Sequence, residues 1–486
     1  MKTTQEIKSN LIQVGEARWI LPQDGKKPIK IIATDKILNS FDNGIWDQIE
    51  NVSNMPGVEE VIISPDAHVG FGFPVGCSVV SKTHVNPPAV GVDACCSMSF
   101  LQTNLPEEIV REKSVRRALI NAVTERIPTG AGNRQVKKSR KINPNLFYHI
   151  ARYGASPTVL FELGISVTWG EKCERNSFDI EGVARAAQER VVELKSKMEV
   201  IGSIGGGNHF VSFDTVKTYN NDIGDKFGLK NDNMGFLTHC GSRGFGYRLM
   251  DFHAKKLKKF YETWGIPFPG NDSHLVAAPL NTQEAQDYLA DLYIACNFAI
   301  VNHLLINSLL LEAVQEVFPG VTGDLVYHIP HNVGQEELID GTKKWIWRKG
   351  ATRAFHAGHP QLKGTGFETT GHPILLPGNA RDGSVIMAAK EGASWSNCTV
   401  NHGAGRRMGR KQAKRELNQA NVDSNMLESD ILHNGRLYPI DEAPDAYKNF
   451  DEITECVEKA DLALTVARLR PMFVIKDNDS DPEGAA

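Results

Sequence analysis

Residues 91–98 read Gly-Val-Asp-Ala-Cys-Cys-Ser-Met, with Asp93 and Cys96 three apart in a turn of small residues after an apolar run. A carboxylate and a thiolate so placed can hold one or two divalent metals. Alone the pair is weak, because adjacent buried cysteines and a loop aspartate are common. Five histidine-bearing turns strengthen it: Asp66-Ala-His68, Asn208-His209, His239-Cys-Gly-Ser-Arg243, His331-Asn332 and Asn401-His402-Gly-Ala-Gly-Arg406. Neutral imidazole is the commonest metal ligand near neutral pH. Strand ends in glycine turns let such ligands converge while the backbone approaches closely. For any one of these histidines taken singly, a hydrogen-bonded structural role is the stronger reading. His149, His274, His303 and His433 lack such a setting and are read as structural.

His402 stands apart. It precedes Gly-Ala-Gly-Arg and a basic stretch with Arg406, Arg407, Arg410, Lys411, Lys414 and Arg415, expected to form a helix from about Gly405. A helix N-terminus with guanidiniums nearby is a phosphate site, and a neutral imidazole there can attack phosphorus. The competing reading is a solvated basic helix face. Gly350-Ala-Thr-Arg353 and Pro377-Gly378-Asn379 leading to Ser384 are further turns with exposed N–H groups. Neither a Walker loop nor a strand-linked dinucleotide fingerprint is present.

The elements that must position these groups follow from composition and pattern. The chain is 41% hydrophobic and 23% charged, as in a soluble globular protein, and can bury a large core. No signal-peptide h-region opens it. The apolar segment 293–311 is interrupted by Asn297, Asn302, His303 and Asn307, so it reads as a buried helix and not a membrane span. Eight cysteines without a disulfide framework imply a reducing, cytoplasmic compartment. A net charge of −4 gives no global field for nucleic acid, so polyanion binding must come from local basic clusters.

Strands are expected at 28–36, 58–64, near 200–204, within 236–244 and at 472–476. Helices are expected at 106–127 (with Pro106 in its first turn), 179–199, 247–263, 282–317 and 450–461. β-rich segments fill 324–400, residues 129–145 read as a mobile basic loop, and the acidic tail 477–486 reads as disordered. Strands and helices mix without βαβ alternation, so the fold class is α+β, with one large domain over 1–476.

Taken in order, these motifs resemble the RtcB family of RNA-splicing ligases. The resemblance rests on Pro65-Asp-Ala-His-Val-Gly-Phe-Gly72, Gly91-Val-Asp-Ala-Cys-Cys96, Gly207-Asn-His-Phe210 and His239-Cys-Gly-Ser-Arg-Gly244. It continues through His331-Asn332, Arg348-Lys-Gly-Ala-Thr-Arg353, Pro377-Gly378, His402-Gly-Ala-Gly-Arg406, Asp441-Glu-Ala-Pro-Asp-Ala-Tyr-Lys448 and Lys476. It implies mixed β-sheets flanked by helices around a deep metal and nucleotide cleft. It implies two Mn²⁺, with Cys96 bridging, Asp93 and His209 completing one, and His239 and His331 the other. The histidine matching His402 would attack the α-phosphate of GTP, release pyrophosphate and carry GMP. GMP would pass to an RNA 3′-phosphate, itself formed from a 2′,3′-cyclic phosphate, and a 5′-hydroxyl end would then displace it.

Asn208, Asn332, Gly378, Asn379, Ser384, Gly403, Ala404, Gly405, Arg406, Tyr447 and Lys476 stand where the family contacts the guanylate. Arg243, Arg406 and Arg410 are candidates for RNA phosphates. An archease-like activator protein is a further partner within the family's range; a membrane is not. The chain departs from the family pattern at Ser97 and Ser99 after the cysteine, at Pro88-Ala89, and at Ala380-Arg381. It also has Ser212 in place of a guanine-reading carboxylate, with Asp214 two residues on. A hydroxyl cannot accept two hydrogen bonds from guanine as a carboxylate does. Two alternatives to ligation stay open: a metal-dependent RNA cyclic-phosphate hydrolase or phosphodiesterase, and a non-catalytic RNA-binding relative.

Overall fold

Runs rich in valine, isoleucine and phenylalanine suit half-buried pleated surfaces, and here they assemble two large sheets. A computed structural model describes residues 3–130, 140–180, 200–339 and 341–477. One sheet runs, in spatial order, Ile12–Gly15, Arg18–Leu21, Ile29–Ile32, Val58–His68, Val75–Ser81, Thr342–Lys349 and Asn332–Ile339. The other runs Gly323–Pro330, Ser97–Pro106, Asn233–Cys240, Phe210–Thr218, Ala463–Lys476, Gly383–Ala389 and Pro373–Asn379, with short Leu432–His433 beside Ala463–Lys476. Ile29–Ile32 pairs in parallel with Val58–His68, and Leu432–His433 with Ala463–Lys476; the other pairs in both sheets are antiparallel. The mixed α+β expectation therefore holds.

The Gln283–Val317 helix is apolar on nearly every side, which requires burial. Thr282 caps it by accepting from the Ala285 N–H. It is the one helix among the described residues long and apolar enough to cross a membrane, and 94% of its most apolar window is buried in the protein, as a core helix would be. The polar residues that interrupt it are hydrogen-bonded, as buried polar groups must be. Asn302 Nδ2 donates to the Gly241 carbonyl at 3.2 Å, and its Oδ1 accepts from the Gly202 N–H at 2.7 Å. His303 bonds the Cys240 carbonyl at 2.9 Å and Ser99 Oγ at 3.1 Å. The helix thus grips the turn after His239 from behind.

Several local expectations change. Pro106 ends a strand and caps Glu107–Val110, which is followed by a separate helix, Lys113–Arg126. No strand forms at 200–204, where Gly202 spends its N–H on the Asn302 side chain. Residues 28–36 divide into the strand Ile29–Ile32 and the start of the helix Asp35–Asn39. The basic helix starts only at Arg410, with Gly409 as its cap, because the preceding residues fold against Ala446 and Tyr447. The expected helix at 179–199 falls largely outside the described residues, as do 131–139 of the basic loop and 478–486 of the tail. Helix Pro144–Tyr153 begins where that loop was expected to end.

Candidate metal centre and adjoining cavity

Antiparallel register does the first work. Ser97 pairs with both Cys240 and Pro330, Met98 pairs with His239, and Phe210 pairs with His239. Cys96, His209 and His331 each sit one residue outside such a pairing. Four neighbouring strands therefore deliver Cys96, His209, His239 and His331 to one sheet end. The His331 N–H closes the junction on the Cys96 carbonyl at 2.9 Å. Glycine makes the room: a Cβ on Gly205 would lie 2.1 Å from His209 Nδ1 and 2.4 Å from an Arg243 guanidinium nitrogen.

The donor atoms converge. Cys96 Sγ lies 3.1 Å from His239 Nε2 and 3.3 Å from His209 Nε2. His239 Nε2 is 3.2 Å from His331 Nε2, and His209 Nε2 is 2.9 Å from Asp93 Oδ2. The ligand atoms of Cys96, His209 and His239 lie within 4.8 Å of one another, and all three side chains are buried. Burial and the neighbouring imidazoles hold His239 and His331 well below the usual histidine range, so both are neutral with lone pairs to give. Burial, then the Asp93 carboxylate, pushes the Cys96 thiol well up. Burial also opposes the Asp93 charge, yet His209 draws its carboxyl below the usual range. One thiol, three imidazoles and a carboxylate with lone pairs aimed together fit a borderline divalent metal. A cation there would supply what the Cys96 thiolate lacks.

His402 comes from the other side, just beyond the short strand Thr399–Asn401, which pairs with Ala351–Arg353. Its Nδ1 is 2.7 Å from the Gly350 carbonyl and 2.8 Å from Asp66 Oδ2. A carbonyl only accepts, so Nδ1 carries the proton and Nε2 holds the free lone pair. Among the described residues Nε2 has no hydrogen-bond partner, and the His402 ring lies 4.8 Å from that of His331. Gly350 sits at φ +64, where a Cβ would meet Val75 at 2.5 Å and His402 Cε1 at 3.0 Å. The hairpin that carries Gly350 is anchored by a buried pair, Arg348 to Glu337 at 2.5 and 3.1 Å. Arg348 also donates to Thr399 Oγ1 at 3.0 Å.

The five donor residues, Gly350 and His402 line one cavity of about 1160 Å³. Its walls include every residue assigned from sequence to metal, nucleotide or RNA. Around Glu442 they form a charge cluster. Its carboxylate meets Lys476 Nζ at 2.7 Å, the Tyr447 hydroxyl at 2.7 Å, and Arg410 and Arg406 at 2.6 and 3.1 Å. Burial opposes the charge, but Lys476, Arg410 and Arg406 hold Glu442 well below the usual carboxylate range. Arg410 also pairs with Asp441 at 2.8 Å. Three cations against two carboxylates leave positive charge facing the cavity, which favours an anionic ligand. The phosphate-binding helix N-terminus expected at Gly405 is replaced by this cluster. Asn379 turns back on its own loop, its amide donating to Asp382 at 2.8 Å.

The departures at Ser97 and Ser99 lose their significance for the cavity. Both are fully buried away from it: Ser97 Oγ donates to the Cys95 carbonyl at 2.6 Å, and Ser99 Oγ bonds His303 and Asn307. Ser212 does face the cavity, and its hydroxyl donates to Asp214 Oδ2 at 2.7 Å. Burial pushes Asp214 up to about 8.

Sequence reasoning gave no role to Asp66, to Glu442, or to Lys349 and Lys448. Asp66 and Glu442 lie inside quoted motifs, but the partner of Asp66 is 336 residues away, and Glu442 draws its partners from separate elements 32 to 36 residues off as well as from Tyr447. Lys349 Nζ donates to the Phe73 carbonyl at 3.0 Å, and Lys448 Nζ to those of Pro65 and Ala67 at 3.2 and 2.7 Å. Burial pushes both amines down to about 8.

A family model described as tRNA-splicing ligase RtcB matches residues 48–477. A protein of Archaeoglobus fulgidus named tRNA-splicing ligase RtcB is 31% identical over 96% of this chain and 98% of its own length. One of Thermococcus kodakarensis with the same name is 30% identical over 96% and 98%. The RNA-splicing ligase RtcB of Mycobacterium tuberculosis is 31% identical over 88% of this chain and all of its own length.

Proposed function

The chain belongs to the RtcB family, and on that premise we propose that it is a GTP- and Mn²⁺-dependent RNA ligase. It joins RNA 3′-phosphate or 2′,3′-cyclic phosphate ends to 5′-hydroxyl ends through a histidine–GMP intermediate, in RNA repair or tRNA splicing. The observation that carries this reading is the free Nε2 of His402, held by Asp66 and Gly350 beside a converged thiol–imidazole–carboxylate set.

Asp93, Cys96, His209, His239 and His331 would hold the metals, which when bound polarise the α-phosphate and offset its charge. His402 Nε2 attacks the α-phosphorus of GTP; a P–N bond forms, the bond to pyrophosphate breaks, and pyrophosphate leaves. Asp66 and the Gly350 carbonyl hold the Nδ1 proton and stabilise the charge that develops on the ring. Lys476, Arg406 and Arg410 offer positive charge to phosphates, while Asn208, Asn332 and Ser384 line the nucleotide space. The RNA 3′-phosphate then takes GMP from His402. The 5′-hydroxyl oxygen attacks the activated phosphate, GMP leaves, and a 3′–5′ phosphodiester remains. A cyclic end first adds water to open to the 3′-phosphate.

Incubating the protein with Mn²⁺ and α-labelled GTP should yield an acid-labile protein–nucleotide adduct that His402→Ala abolishes. Wild type that forms no adduct with any of the four nucleoside triphosphates overturns the proposal. Opening of a cyclic end by His402→Ala, with no joining by wild type, would favour the hydrolase instead.

A further inference from the structure

We propose that one face of the Arg243–Trp264 helix, together with Phe71 and His274 on the wall of the same cavity, is a track for a single-stranded stretch of nucleic acid leading into the metal centre. The identity of that strand as substrate RNA rests on the ligase reading; the track itself rests on geometry. The helix begins three residues after Cys240, at the metal end of the sheet. Its Tyr247, Arg248, Lys255 and Lys258 line the same cavity as the metal ligands. Positions 247, 251, 255 and 258 follow helical spacing, so they form one stripe, about 16 Å long. A stacked strand carries one phosphate per about 3.4 Å of its axis, so the stripe spans several. The opposite face, with Phe245, Leu249, His253 and Leu257, is buried. This side is therefore held rigidly toward the cavity.

The charges suit phosphate. Arg248 and Lys258 make no ion pair among the described residues, whereas Lys255 shares its charge with Asp251 at 2.7 Å. A chain of net charge −4 has no global attraction for a polyanion, so unpaired cations on a cavity wall are where one would bind.

The aromatics argue for unpaired bases. Phe71 is 57% exposed and Tyr247 38%, and both line the cavity. The Phe71 ring lies 4.0 Å from that of His274. Gly72 makes this approach possible, since at φ +69 a Cβ would come within 2.7 Å of the His274 Cβ. Rings beside backbone-tracking cations are how single strands are held without sequence preference, because every base has a face to stack. A duplex keeps its base faces inside and would use the cations alone.

The test is fluorescence anisotropy with a short labelled single-stranded RNA ending in a 3′-phosphate, without nucleoside triphosphates, between about 50 and 200 mM salt. Arg248→Ala/Lys258→Ala should weaken binding roughly tenfold and lower the salt slope by about 1.4, two phosphate contacts at ~0.7 each. Phe71→Ala should weaken single-strand binding about five- to tenfold while leaving any binding of a blunt RNA duplex unchanged. Thermal unfolding confirms that each variant is folded, and Lys226→Ala/Lys230→Ala, outside the cavity, should bind as wild type does. Equal affinity and slope for wild type and the Arg248/Lys258 variant overturn the track. Equal loss of duplex and single strand in Phe71→Ala overturns its single-strand character. The adduct assay reports separately on the ligase reading, so wild type that forms no adduct yet binds RNA along this wall refutes that reading and supports this inference.

Discussion

Replacing Asp66 by Asn tests whether His402, the proposed nucleophile, is oriented by its partners. His402 Nδ1 has one proton and two acceptors, the Gly350 carbonyl at 2.7 Å and Asp66 Oδ2 at 2.8 Å. Losing the carboxylate leaves the carbonyl, so the tautomer survives and Nε2 stays free. What disappears is the negative charge that, in the proposed reaction, would stabilise the ring as its nitrogen bonds to phosphorus. Hydrogen bonds to a charged group contribute about 1.5–3 kcal/mol, so adduct formation should slow roughly 10- to 150-fold. Lys448 would lose its nearest buried counter-charge as well, since Asp66 works against the burial that lowers that amine. A modest fall in melting temperature should accompany the change, without loss of retained metal, because Asp66 bonds His402 and is outside the converged donor group. The assay is the single-turnover rate of labelled adduct formation with saturating GTP and Mn²⁺. A rate within twofold of wild type would refute the orienting role. Loss of metal would refute the separation of Asp66 from the ligand set.

Three further outcomes are expected. Cys96→Ser should abolish metal retention and adduct formation, whereas Cys95→Ser, a buried neighbour at φ +56, should be mild; equal effects by metal analysis would overturn the assignment. Glu337→Ala strands the fully buried Arg348 guanidinium and should cost about 3–5 kcal/mol in denaturant unfolding; a cost below about 1 kcal/mol would show that the pair does not anchor the hairpin that carries Gly350. Burial raises Asp214 to about 8 from an unfolded value near 4, so between about pH 4 and 8 the folded state keeps a proton that the unfolded state has lost. Its contribution is present at acid pH and lost as pH rises through about 8, with a ceiling on the order of 5 kcal/mol. Asp214→Asn removes that slope, so relative to wild type it should gain stability steadily from pH 5 to about 8 and level off above that; parallel melting curves would sink the argument.

Much of the site was legible because its chemistry resides in residue type and local spacing. Cys96, Asp93 and the histidines in glycine turns announce metal or phosphate chemistry, and their order along the chain carries the family resemblance. The apolar run broken by asparagines was readable as a core helix, because scattered polar residues forbid a lipid-facing one. What the chain could not display was long-range pairing. That His402 is held by Asp66, 336 residues away, is a fact of two sheets meeting. That Ser99 faces His303 and not substrate is decided by which side of a strand packs on the helix. The basic helix starts late because Arg406 is drawn to Glu442 and Tyr447 and Arg407 to Asp445, a tertiary preference that overrides local helix propensity. Sequence by itself determined the reactive groups and the apolar pattern that buries them. Only the tertiary structure decided which lone pairs meet, since strand register and buried polar partners set position to within a bond length and no local pattern encodes them.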